Sequence, residues 1–419
     1  MAVVVGVGRV DEREMASAER TAVRNGRLYL IGLAASLIGN SAMSLVAGIW
    51  VKSITGSSAQ AGYVSVCIYA PSLAGPVGGM IADRVRRRRF LLALNLVSAV
   101  MVLPLLAVSG RSGVWIVFAV MAWYGVDLML TTPAESGLFV QMLPGELRQR
   151  LNGWTLGLQE TGRLVAPLLG AGLFAVSGGR TVALLDAATF VLAALMIWRI
   201  RLCETKPIRP ATHWRAEVVA GFVHIRRTGE LRRLVAAGAV VIGTSGIGVA
   251  AQYSLVQALG EPPSFLGVLS AGLGAGSVVA SLASSRLLGR IGEGWLAVIG
   301  STNFALGNLL RASGWLPAAV AGSVVLGFAL PWVFLAVLNM AQRATPAALQ
   351  GRVSAAVSLA VFGPQAPMQA LGSAAIGYVS YQTIYIASAV LALATAAWLA
   401  RGLPSRHHPA PALATPSGL

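Results

Sequence analysis

The feature that most limits this chain is a procession of apolar runs, each about long enough to cross a bilayer. A spanning helix needs about 20 mostly apolar residues. Runs of that kind lie near 28–50, 61–82, 90–108, 114–138, 152–176 and 181–200. A second series lies near 234–256, 264–284, 295–312, 315–340, 353–379 and 382–400. Lipid offers the backbone no hydrogen bonds, so only helices and closed barrels can span it, and these runs lack the alternation of barrel strands. The expected fold is an all-α membrane protein with twelve transmembrane helices. Only 11% of the residues are charged, against about 25% in a soluble domain. A surface that faces water all round is therefore excluded.

A net charge of +17 and a pI near 11.3 would suggest nucleic acid if the charge formed one patch. It does not. On this map 27 of the 32 basic residues fall in segments on one side of the membrane. Lys52, Arg111, Arg180 and Arg311 fall on the other side, and Arg163 lies inside the fifth run. Basic residues favour the cytoplasmic side, which predicts a multi-pass protein of the inner or plasma membrane with both termini in the cytoplasm. Nucleic acid is not an expected partner, whereas anionic lipid at the cytoplasmic face is. Two cysteines, Cys67 in an apolar run and Cys203 in a polar stretch, make neither a disulfide framework nor a metal site. No cofactor is expected, and the chain is read as a monomer.

The sequence also repeats. "PGELRQR" from Pro144 returns as "PAALQGR" from Pro346, an offset of 202. The same offset carries Gly125 to Gly327, Arg84 to Arg286, Gly170 to Gly372 and Thr181 to Thr383. A shared offset across several elements predicts two six-helix halves, 27–200 and 234–400. A tail at 1–26, a central loop at 201–233 and a disordered tail at 401–419 flank them. Parallel halves of this kind place a substrate site between them at mid-membrane. In the central loop Trp214, Val218, Phe222 and Ile225 recur at helical spacing. That pattern fits either an amphipathic helix on the cytoplasmic membrane surface or a connector helix packed on the bundle.

Between the second and third runs stands "GGMIADRVRRRRF", one acid followed by five arginines within six positions. It resembles motif A of the major facilitator superfamily, G-x-x-x-D-[RK]-x-G-[RK]-[RK], with Gly79, Asp83, Arg84, Arg87 and Arg88 matching and Arg86 in place of a glycine. "SITGSS", "TPAESGLFVQMLPGELRQRLNG" and "LLDAATFVLAAL" are similar to stretches of the branch holding the enterobactin exporter and macrolide-efflux proteins, among the drug:proton antiporters. "GRLVAPLLGAGL" resembles the antiporter motif of helix 5, with Ala166 and Ala171 replacing glycines. The arginine that many antiporters carry in helix 4 is absent from "FAVMAWYG". The resemblance implies alternating access, with the motif-A rim latching the two halves in the outward-facing state.

Charges inside spanning helices are costly and mark function by default. Asp127 and Glu135 lie in helix 4, Glu160 and Arg163 in helix 5, and Asp186 in helix 6. Their mates at +202 are Ala329, Val337, Phe362, Gln365 and Ser388, none of them ionisable. Asp127, Glu160 and Arg163 share a depth on this map, and Glu160 and Arg163 share a helix face. They form either a static ion pair or a carboxylate that takes a proton once its arginine is drawn away. Glu135 is expected to brace the motif-A arginines. Asp186 could cap the start of helix 6 or admit a proton. Candidate substrate contacts are Ser36, Asn40 and Ser44 on helix 1, Gln252 and Tyr253 on helix 7, Trp332 and Asn339 on helix 10, and Gln365 on helix 11.

No Walker A loop, H-E-x-x-H or Ser/His pairing points to an enzyme or an ATP-driven pump. The leading expectation is a proton-coupled exporter of amphipathic small molecules. An importer on the same fold, and a non-transporting membrane sensor or scaffold, are its rivals.

Overall fold

A computed structural model describes residues 12–143, 145–202, 204, 214–346 and 349–403. Among these residues the regular structure is helical throughout. The first half holds α1 (Glu12–Thr55), α2 (Ser58–Tyr69), α3 (Gly75–Ala82), α4 (Arg87–Val102), α5 (Val114–Met142) and α6 (Gly145–Arg199). A connector, α7 (Trp214–Arg227), leads to α8 (Gly229–Ala258), α9 (Leu266–Ala312), α10 (Leu316–Ala344), α11 (Gln350–Phe362), α12 (Gln365–Ala375) and α13 (Tyr381–Arg401).

Among the described residues eight helices are long and apolar enough to cross a membrane, yet twelve crossings result. A straight α6 of 55 residues would run roughly 80 Å, far beyond a hydrocarbon core of about 30 Å. Gly178 breaks it at φ 77° and ψ 177°, a backbone region open to glycine. On α1, Ala42 packs against Gly170 while Gly39 packs against Asp186 and Thr189, so the two arms of α6 lie side by side. Gly292, at φ 76° and ψ 171°, folds α9 in the same way. The two remaining crossings are broken ones. Residues 58–82 pass from α2 through a 3-10 turn that contains Pro71 to α3, whose first turn holds Pro76. Residues 350–375 break between α11 and α12 at Gly363 and Pro364.

The repeat has a structural meaning. A Cβ on Gly125 would overlap the carbonyl of Ile68, and one on Gly327 would overlap that of Leu273. Gly170 lies against Ala42, and its mate Gly372 against Ile247. Each half uses the same positions for its closest helix crossings, where a side chain would force the backbones apart. Tryptophans repeat too. Trp115 and Trp315 open α5 and α10 at one end of the bundle, and Trp198 and Trp398 close α6 and α13 at the other. All four are exposed, as aromatic belts at the two membrane interfaces require.

Helix α1 begins at Glu12, within the segment expected as the N-terminal tail. Of the two readings of the central helix, the structure has the connector docked on the second half. Gly221 of α7 abuts Arg352 and Ala356, Ile225 is buried in the core of that half, and His224 meets the Ala344 carbonyl at 3.2 Å. The expected tail at 401–419 lies, beyond Leu403, outside the described residues.

Candidate functional site

The two halves meet through a mixed core. Ile49, Ala61 and Ala171 of the first half cluster with Ala251, Tyr253, Leu255, Leu266 and Leu269 of the second. Glycines set the approach. Gly48 of α1 lies under the Tyr253 hydroxyl, Gly62 of α2 against Ala250 and Ser373, and Gly267 of α9 against Ala171 and Pro167. Lys52 Nζ donates to Gln257 Oε1 at 2.7 Å, and Ser254 Oγ donates to Ser58 Oγ at 2.8 Å. Each of these contacts lies toward the end of the bundle opposite the chain termini. At the termini end, the hydrogen bonds of Arg88, His224 and Arg233 stay within one half or run from α7 to its own half. The bundle is closed at its loop end.

At the termini end the motif-A loop is tied into the first half. Arg87 bonds Asp83 at 3.2 Å and lies over Gly137 of α5, where a Cβ would overlap its guanidinium. The Arg88 guanidinium donates to the Ile197 carbonyl at 3.1 Å, and its backbone N–H donates to Glu204 Oε1 at 2.7 Å. One residue thus caps the end of α6, while Glu204 caps the start of α4. Gly79 accepts the backbone N–H of Asp83, and Arg84 is exposed. Glu135 turns elsewhere than expected: its carboxylate accepts from the Tyr29 hydroxyl on α1. Charge alone suggested the arginines, whereas helix packing supplied a neutral partner.

The buried acids of the first half are held by neutral donors. Ser98 Oγ on α4 donates to Asp127 Oδ1 at 2.8 Å, and the Trp123 indole donates to that same Ser98 oxygen at 2.9 Å. Thr131 adds a second hydroxyl to Asp127. Asp186 is 0% exposed. Tyr124 of α5 donates to its Oδ2, Thr189 Oγ1 lies 3.3 Å from its Oδ1, and Gly39 of α1 packs directly over it. It lies roughly 12 Å along the helix from the Gly178 turn, so it does not cap the start of that arm. Glu160 and Arg163 lie on α6, and their side chains lie outside the described residues.

The expected substrate contacts are not one cluster. Trp332 is buried in the core of the second half and donates to the Ala280 carbonyl at 3.1 Å. Asn339 Nδ2 bonds the Leu335 carbonyl, and Ser44 Oγ bonds the Asn40 carbonyl. Tyr253 belongs to the closed seam. Ser36, Gln252 and Gln365 are half-buried. Asn40 Oδ1 is buried without a hydrogen-bond partner. Gln369 Oε1 and Ser373 Oγ on α12 share that condition, beside Gly246 and Gly62 respectively. The sequence reading passed over these two, although their i,i+4 spacing after Pro367 was visible.

Two pseudo-symmetric halves, twelve crossings, a seam closed at one end and acids buried in one half define a membrane carrier. The sequence profile of the Major Facilitator Superfamily matches residues 29–243 and again 233–417, and the chain belongs to that superfamily. It is a multi-pass membrane transporter rather than an enzyme. The multidrug resistance protein MdtG of Erwinia billingiae is 26% identical over 200 residues, which cover 45% of this chain and 48% of that protein. The match spans about half the length of that relative. Among solved structures, the nucleoside transporter NupG superposes with a TM-score of 0.72 at 12% identity, over 91% of this chain and 99% of that one. A bacterial homologue of the iron transporter ferroportin, in an inward-facing state, gives 0.66 at 14% identity over 90% and 98%.

Proposed function

We propose that this transporter is a proton-coupled exporter of amphipathic small molecules, with both termini in the cytoplasm. In that orientation the closed seam faces outside and the present state is open to the cytoplasm. The observation that carries coupling is Asp186, a fully buried carboxylate bonded by Tyr124 and Thr189, both neutral hydroxyl donors. An ionised carboxylate in that position has only dipoles to offset its desolvation, so protonation gives a second, comparably stable state. Gly39 places α1 directly on Asp186, so movement of α1 against α6 alters access to the carboxylate. Asp127 is a second proton site of the same construction, and the sequence offers Glu160, three residues before Arg163, as a further candidate. The likeness to MdtG supports export and a drug-like cargo, and the uneven basic charge supports the orientation.

Everted vesicles from an efflux-deficient host provide the test. An acidified lumen should drive uptake of a cationic amphipathic dye as protons leave, and adding dye should dissipate the gradient. Asp186→Asn should abolish gradient-driven accumulation while leaving dye exchange across the membrane. Accumulation in whole cells rather than in everted vesicles would overturn export. Unchanged gradient-driven accumulation in Asp186→Asn, Asp127→Asn and Glu160→Gln would overturn coupling through these acids.

A further inference from the structure

The sequence places Lys52 among the few basic residues on the side of the membrane opposite the termini. In the structure its residue is only 7% exposed. Its ammonium has three donors, and it uses them on the Gly56 carbonyl at 2.8 Å, Ser58 Oγ at 2.9 Å and Gln257 Oε1 at 2.7 Å. No carboxylate is among those partners. The first two acceptors belong to the turn between α1 and α2, and the third belongs to α8 in the other half. Ser254, three residues before Gln257 and so on the same face of α8, donates to the same Ser58 hydroxyl at 2.8 Å. The result is a closed ring, Lys52–Gln257 and Ser254–Ser58, joining α1 and α2 to α8 across the seam.

We propose that Lys52 is the latch of the loop-end gate, and that releasing Gln257 from it is an obligatory part of opening that end. The chemistry suits a bond that must be made and broken in each cycle. A buried lysine–carboxylate pair would leave an uncompensated charge on both sides when pulled apart. A charge-assisted bond to a neutral amide is stronger than a neutral one, yet on opening the amide returns to water at little cost. The cation keeps two of its three partners in its own half, so it is never stranded. Gly48, beneath the Tyr253 hydroxyl on the neighbouring turn of α1, lets the two helices come close enough for the bond to form. The latch follows from alternating access alone and holds whichever way substrate moves.

The test needs no substrate. In a cysteine-free background (Cys67→Ser, Cys203→Ser), spin labels go on Ser112→Cys and Ser313→Cys, exposed residues at the loop end of opposite halves. Pulsed dipolar spectroscopy of the purified transporter then reads narrow and wide populations. Lys52→Met and Gln257→Leu should each raise the wide-to-narrow ratio roughly fivefold. The double variant should give no more than either single one, because both remove one bond. With the Ser58→Cys to Ser254→Cys disulfide formed first and the two remaining thiols then labelled with a maleimide nitroxide, only the narrow population should remain, and a reductant, which spares the thioether-bound label, should restore the rest. Gln257→Leu leaves the α1–α2 turn untouched and keeps the test decisive if Lys52→Met does not fold. An effect of Lys52→Met without one of Gln257→Leu would mean that the lysine only organises its own turn, and the proposal fails. Unchanged populations in Gln257→Leu, or a wide population that persists after cross-linking, would overturn it as well.

Discussion

The two halves share a scaffold and differ in what they bury. In the first half Asp127, Glu135 and Asp186 take hydroxyl donors from neighbouring helices. In the second, the equivalent positions are Ala329 and Val337, both 0% exposed, and Ser388, which bonds its own helix at Ile384. The second half keeps a different polar inventory. Arg311 is buried and donates to Ser323 Oγ at 2.8 Å, and Gln369 and Ser373 carry buried oxygens without partners. The lesson is a division of labour. Common glycine crossings preserve the architecture, while the buried acids of the first half have no ionisable counterpart at the equivalent positions of the second.

The sharpest challenge to that comparison is to move an acid across it. Ala329→Asp puts a carboxylate at the mate of Asp127, where no Ser98 or Trp123 awaits it. It should cost about 3 kcal/mol, seen as a lower unfolding midpoint in detergent. A variant as stable as the parent would mean that missing partners are not what keeps acids out of these positions of the second half. The shared scaffold is tested by Gly125→Ala and Gly327→Ala. Each adds a methyl against a backbone carbonyl and should cost about 1–3 kcal/mol, by similar amounts. A clear inequality would break the equivalence of the two crossings. The smallest stability effect belongs to the rim. Asp83 and Arg87 form a partly exposed i,i+4 pair, so Asp83→Asn should change stability by about 0.5 kcal/mol or less. It should nevertheless slow transport while leaving equilibrium ligand binding intact. Weakened binding with normal turnover per bound ligand would remove the rim from gating.

Much of the fold was legible in the sequence because spanning a bilayer is a matter of length and apolar composition. The twelve runs, the 202-residue offset and the basic loops all express one-dimensional constraints. Arg88 was legible as a motif residue but not as the cap of α6, since its acceptors at Ile197 and Trp198 lie more than a hundred residues away. Trp332 looked like a cavity residue from its place on helix 10, and packing against Ala280 made it core. Glu135 sat near arginines in sequence order and found Tyr29 instead.

What the sequence alone determined, then, is the helical membrane architecture, its duplication and the placing of the acids inside spanning runs in one half. These follow from the cost of bare backbone and bare charge in lipid, which every stretch of chain meets on its own. The tertiary structure decided which neutral hydroxyl each acid meets, where α7 docks and which end of the bundle is shut. It also turned Lys52 from a loop charge into a buried bond between halves. Those outcomes depend on contacts between residues far apart in the chain. A hydrogen bond needs both partners within about 3 Å and correctly oriented, and only the packed helices fix that geometry.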